Sequence, residues 1–143
     1  MRSTDSAPAP STVLPFGGCA DVARDHLDLG KMGEDLALKT VRSMGYKDIV
    51  QNYRCPLGEI DLIARDKDTL VFLEIKTRRT GPTGFAKEAV NTRKRRQISK
   101  AALTYMKANN CENMRARFDV VAISLAGPAP DIEVIKNAFD LAY

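Results

Sequence analysis

The sequence predicts an α/β domain in which a mixed β-sheet of about five strands carries helices packed on its faces. Three observations carry that expectation. Apolar residues recur at helical spacing over 29–44 and again over 92–108. Five shorter runs rich in β-branched and aliphatic residues are bounded by turn residues. The order is helix, three strands, helix, strand, strand. A right-handed crossover through the second helix then lays the fourth strand parallel to the third.

The elements follow in order. The chain has 143 residues, enough for one real core and too few for two ordinary domains. Residues 1–20 carry Pro, Ala, Ser and Gly without periodicity, so 1–28 is expected as a disordered or loosely attached extension and 29–143 as the domain. Leu29, Met32, Leu36, Thr40, Val41 and Met44 predict the first helix, and Gly45 ends it. Asp21 is available to cap an earlier turn, with Gly30 as a break or kink. Strands are expected over 48–54, 59–65 and 70–77. The Gly- and Pro-bearing stretch 78–84 reads as a loop and 85–90 as a short helical turn. Thr92–Ala108 is a helix burying Ile98, Ala101, Ala102, Tyr105 and Met106. Arg117–Ser124 reads as a buried strand and Asp131–Ile135 as an edge strand, with Phe139 and Leu141 docking on the core.

The second and third strands form a hairpin whose charges are out of place. Asp61, Glu74 and Lys76 interrupt runs that would otherwise bury well, and a carboxylate in an apolar strand needs compensation. Alternation puts Ile60, Leu62, Ala64, Val71, Leu73 and Ile75 on one face. Glu59, Asp61, Ile63, Leu70, Phe72, Glu74 and Lys76 share the other. A turn centred on Lys67 and Asp68 pairs Asp66 with Thr69, so counting back opposes Asp61 to Glu74 and Glu59 to Lys76. Opposed carboxylates repel. A hard divalent cation between them converts that repulsion into a binding site. The bland alternative is an ordinary sheet face with Glu59–Lys76 as a surface ion pair, worth little. Ile63, Leu70 and Phe72 argue for a cover over this face, and the amphipathic helix carrying Glu34 is the nearest candidate.

Composition narrows the function classes. No apolar run reaches membrane-spanning length, and the N-terminus lacks the apolar core of an export signal. Cys19, Cys55 and Cys111 are scattered and His26 is the single histidine, which disfavours a structural zinc site, a disulfide framework and a cysteine nucleophile. Reduced thiols suggest the cytoplasm. Twelve Lys/Arg and two acids lie between Lys76 and Arg117, a local net of +10 that leaves −6 for the rest of a chain of net charge +4. Such a block points to a polyanionic partner or to a solvated face.

Asp61, then Glu74-Ile75-Lys76, resembles the D…(D/E)-x-K signature of the restriction-endonuclease-like nucleases, the PD-(D/E)xK superfamily. Within it, the order of helix glutamate, aspartate and E-x-K is similar to that of archaeal Holliday-junction resolvases. The segments LGKMGEDLA, NYRCPLGEIDLIARD, LVFLEIKTR, AVNTRKRRQI and RFDVVAI resemble the YraN family of bacterial proteins from residue 29 to about 139. The resemblance implies a restriction-endonuclease-like core and a metal-dependent endonuclease acting on DNA, branched or single-stranded, with RNA also open. It implies Mg²⁺ or Mn²⁺ held by Asp61, Glu74 and the Ile75 carbonyl, with Glu34 supporting the site directly or through water. Lys76 then orients the attacking water or stabilises the transition state. Arg78, Arg79, Arg93, Lys94, Arg95, Arg96 and Lys100 grip flanking phosphates, and Gln97 approaches the site. Asp119 fits a structural hydrogen-bonding role better than a catalytic one. Junction resolvases of this fold act as dimers, which implies a homodimer by analogy. A nucleic-acid-binding module with the fold and little cleavage is the alternative.

Overall fold

The structure, a computed structural model, describes residues 18–81 and 90–142, with side chains from Asp28 onward. The elements are α1 (Gly18–Ser43), β1 (Lys47–Cys55), β2 (Gly58–Asp66), β3 (Thr69–Arg78), α2 (Thr92–Ala108), β4 (Arg115–Ser124) and β5 (Asp131–Phe139). One five-stranded sheet runs in the order β1-β2-β3-β4-β5. Its neighbours are antiparallel except β3 and β4, which pair in parallel through the α2 crossover. This is the mixed sheet that the element order predicts, in an arrangement compatible with a restriction-endonuclease-like core. Among the described residues no helix is long and apolar enough to cross a membrane.

Boundaries shift in two places. Helix α1 begins at Gly18, about three turns before the expected start, and runs through Gly30 as one helix. Its C-terminus is as expected: Gly45 takes φ +88° and Tyr46 N–H donates to Val41 O at 3.1 Å, the Schellman closure. At the other end of the chain, β5 continues to Phe139, which stacks on Phe118 with centroids 5.0 Å apart. The turn expected over 85–90 lies, apart from Val90, outside the described residues, as does the first part of the N-terminal extension.

The sheet is covered on both faces by different helices. Ala37 and Val41 of α1 pack with Leu62, Ala64, Val71, Leu73, Val121 and Ile123. Ile98, Ala101, Ala102 and Met106 of α2 pack with Ile63, Leu70, Phe72, Phe118, Val120 and Ala122. Two expectations are corrected here. The face bearing Ile63, Leu70 and Phe72 is covered by α2, not by the helix carrying Glu34. Ile60 joins this α2-side core although alternation groups it with Leu62; between them the β1–β2 ladder skips Asn52–Asp61, and Asn52 takes φ +53°, a local break in the alternation.

The parting of β2 from β3 is the feature that matters for function. The β2–β3 ladder runs from Asp66–Thr69 to Leu62–Leu73 and stops. Beyond it β2 stays paired with β1 as far as Cys55–Gly58, while β3 stays paired with β4 as far as Arg78–Ser124. The sheet therefore forks, with Asp61 and Glu74 at the crotch.

Candidate active site

Asp61 stands where the backbone ladder ends. Its Oδ2 accepts a hydrogen bond from the Ile75 N–H at 2.9 Å, so a side chain replaces the missing strand partner. A residue's N–H and C=O leave a strand on the same edge, as the exchanged bonds of an antiparallel pair require. The Ile75 carbonyl therefore faces the fork as well. Glu74 is 5% exposed. Its Oε1 lies 3.6 Å from Lys76 Nζ and 3.8 Å from Lys94 Nζ. The expected Glu59–Lys76 pairing does not form. The strands have diverged there, and Glu59 pairs with Arg54 of β1 at 3.5 Å.

Helix α1 brings in the remaining acid. Glu34, Leu29 and Gly30 line a cavity of about 330 Å³ together with Asp61, Ile75, Lys76 and Thr77. Gly33 makes this approach possible: a Cβ at that position would overlap Thr77 Oγ1. A glycine inside a helix costs about 1 kcal/mol relative to alanine, and here it lets α1 lie close against β3 beside the site.

The electrostatics are strained. Burial, and then the charge of Asp61, raise the Glu74 carboxyl from its ordinary 4.5 to about 7. Burial also raises Asp61, against the lowering effects of the Ile75 N–H and of Lys94. A buried carboxylate, Glu74, and a half-buried one, Asp61, thus share one site, with the half-buried ammonium groups of Lys76 and Lys94 beside them. The donors are two carboxylates and a carbonyl, a hard oxygen set that fits Mg²⁺ or Mn²⁺. Among the described residues no three His, Cys, Asp or Glu side chains form a closed metal cage. A cation here would complete its shell with water, as Mg²⁺ ordinarily does.

The basic residues of the loop and of α2 divide into groups. Lys94 belongs to the acidic centre through Glu74. Asn91 caps α2 by accepting the Lys94 N–H at 2.9 Å, which fixes the start of the helix. Arg95 turns inward: its Nε donates to Val90 O at 2.8 Å and its guanidinium lies 5.5 Å from the Phe139 ring centre. Arg93, Arg96, Gln97 and Lys100 line an open cavity of about 580 Å³ with Pro56 and Leu57. Arg78 is half-buried and Arg79 exposed, at the end of β3 and just beyond it.

Sequence reasoning gave Lys94 a phosphate-gripping role and overlooked its position. The signal was present, since Lys94 lies on the helical stripe of Ile98, Ala101 and Tyr105, spaced four, seven and eleven residues on. Gly33 had a signal as well, as an unexplained glycine in an amphipathic run.

Asp119 lies outside the site. It is 0% exposed, and its carboxylate accepts Arg117 Nε at 2.8 Å, Arg117 Nη2 at 2.9 Å and Asn137 N–H at 2.9 Å. Arg117 also reaches Asp66 and the Tyr46 hydroxyl. This is the structural hydrogen-bonding role expected of Asp119.

Comparison with known proteins places the chain in a family. The profile of the Uncharacterised protein family UPF0102 matches residues 33–123, from Gly33 at the helix–strand contact to Ile123 in β4. A UPF0102 protein of Syntrophus aciditrophicus is 48% identical over 118 residues, covering 82% of this chain and 93% of its own length. One from Geobacter sulfurreducens is 51% identical over 116 residues, covering 80% and 91%. One from Syntrophotalea carbinolica is 41% identical over 115 residues, covering 80% and 94%. With the family profile spanning most of the domain and relatives aligned over nearly their whole length, the chain belongs to the UPF0102 family, the YraN proteins.

Proposed function

We propose that this protein is a metal-dependent endonuclease that hydrolyses phosphodiester bonds in DNA. The observation that carries the reading is the fork between β2 and β3. It gathers Asp61, Glu74, the Ile75 carbonyl and Lys76 where an uninterrupted sheet would have neutral backbone pairs. Asp61, Glu74 and the Ile75 carbonyl would hold Mg²⁺ or Mn²⁺, with Glu34 supporting them across the cavity. When bound, such an ion supplies Lewis-acid activation of water and charge neutralisation at the scissile phosphate.

The chain's own groups account for the rest. Lys76, 3.6 Å from Glu74 Oε1, is placed to orient the attacking water or to meet the charge that develops on the phosphoryl oxygens. The Ile75 N–H fixes the Asp61 carboxylate so that it need not reorganise during reaction. The exposed cations Arg93, Arg96 and Lys100 hold phosphates on either side of the cut bond.

A panel of linear, flapped and four-way DNA, with matched RNA, incubated with Mn²⁺ tests the proposal. Cleavage is expected with wild type, while Asp61→Ala and Glu74→Ala lose it and still bind. Equal cutting by both variants would refute the site. A second reading is a binding module with little cleavage. It is favoured by the two lysines at Glu74, which already offset part of the acidic charge without a cation. Binding by wild type without cutting of any probe supports that reading.

A further inference from the structure

Beside the acidic centre lies a groove with its own chemistry. Its outer part is the cavity of about 580 Å³ between the β1–β2 turn and the first half of α2. A second cavity of about 400 Å³ adjoins it, sharing Pro56, Leu57 and Gln97, and reaches Lys94. Since Lys94 ion-pairs with Glu74, the groove leads from solvent to the candidate active site. The cations of the outer cavity are Arg93, Arg96 and Lys100, all exposed, while the inner cavity is lined by Lys94 and by the Arg54–Glu59 ion pair.

The apolar lip is what sets this groove apart from a plain phosphate track. Among the described residues five large apolar side chains are exposed, and Leu57 at 53% is the most exposed of them. Single exposed leucines are ordinary. Leu57, however, stands with Pro56 beside Arg93, Arg96 and Lys100 in the outer cavity, and of the five it alone lines these two cavities. Its turn is also seated firmly on α2: a Cβ at Gly58 would lie 3.0 Å from the Gln97 carbonyl oxygen. A duplex offers a protein surface its phosphates and keeps its base faces stacked inside. An unpaired strand offers both phosphates and bare base faces, which bind against apolar side chains while cations track the backbone.

We infer that the Pro56–Leu57 turn and the Arg93, Arg96 and Lys100 face of α2 form a binding groove for an unpaired polynucleotide strand, with a base seated against Leu57 and its flanking phosphates on the α2 cations. This deepens the nuclease reading, on which it rests, by naming the form of substrate led to the acidic centre. Strands enter past the turn, and Lys94 marks the inner end.

The test is fluorescence anisotropy in EDTA, with labelled single-stranded DNA, single-stranded RNA and blunt duplex of one sequence. Wild type is expected to bind the single strands more tightly than the duplex. Leu57→Ser is expected to lose about fivefold in single-strand affinity, the lower end of what a base stacked on an aromatic side chain contributes, and Leu103→Ser, an exposed leucine elsewhere, none. Arg93→Ala with Arg96→Ala is expected to weaken every probe. A preference for one single strand identifies the sugar that the groove accepts. Wild type favouring duplex, binding nothing, or matching Leu57→Ser on single strands overturns the groove. Cleavage with Mn²⁺ is scored separately. Absent cutting with intact single-strand preference refutes the nuclease reading alone, and cutting with an indifferent Leu57→Ser refutes the groove alone.

Discussion

Asp119 and Asp61 both accept a backbone N–H where a strand ladder is disturbed, yet their surroundings differ. Asp119 meets Asn137 N–H at the irregularity between β4 and β5, and its charge is matched by the Arg117 fork. Desolvation, and then the nearby Asp119 charge, raise the Tyr46 hydroxyl to about 12. Removing one partner from such a buried pair is expected to cost about 3–5 kcal/mol, so Asp119→Ala should lower the denaturation midpoint sharply without a specific effect on cutting. Asp61 and Glu74 stand instead beside the ammonium groups of Lys76 and Lys94. Glu74 binds its proton more tightly folded, near 7, than unfolded, near 4.5. Its contribution to stability is therefore fully present below pH 4.5 and is lost as pH rises through 7. Metal-free protein should accordingly show a melting temperature that falls between pH 5 and 8, and Glu74→Gln should flatten that fall. Mn²⁺ should raise the melting temperature more at pH 8 than at pH 5, because the ion competes with the proton for the same oxygens; equal shifts at both pH values would argue against carboxylate ligation.

At the scale of elements, α1 and the hairpin must keep their spacing for Glu34 to reach the site. Gly33→Ala is expected to push α1 away from Thr77, lowering cleavage about tenfold or more, since a misplacement of about 1 Å is costly in catalysis. Thr77→Ala in the same chain removes the overlapping hydroxyl and should restore part of the loss, a coupling that a double-mutant cycle measures. If the two changes simply add, the contact is not what positions the helix. The hairpin shows how far sequence carries. Alternation and a two-residue turn placed Asp61 and Glu74 at matching positions, and the ladder from Asp66–Thr69 to Leu62–Leu73 has that register. The same arithmetic failed one step later at Glu59 and Lys76, because it assumes that strands stay paired. A side chain capturing a backbone N–H leaves no periodic trace. Nor does periodicity say which face of a sheet a helix takes, so Glu34's helix was put over the wrong one. Its proximity to Asp61 came from family resemblance, and the cavity joining them became visible in three dimensions. The early start of α1 was hidden because its first turns carry no clear apolar stripe.

For the whole molecule, charge separation sets the behaviour toward polyanions. Three groove cations predict a log–log slope of about −2 for single-strand affinity against salt, and Arg96→Ala should reduce it by about 0.7. A slope near zero in wild type would remove phosphate contact from the account. The forked sheet has a consequence for cooperativity. Asp61 and the Leu57 turn belong to a two-stranded ribbon that, past Leu62, leans on no other strand, whereas Glu74 and Lys76 belong to a three-stranded leaf with β4 at its centre. A ribbon held on one side opens more readily than a leaf held on both, so amide hydrogen exchange should run faster at residues 53–60 than at 118–123. The two halves of the site then melt apart while most of the protein stays folded. Heating should silence the protein some degrees before it denatures, and whatever bridges Asp61 to Glu74 would act as a clasp that closes that gap.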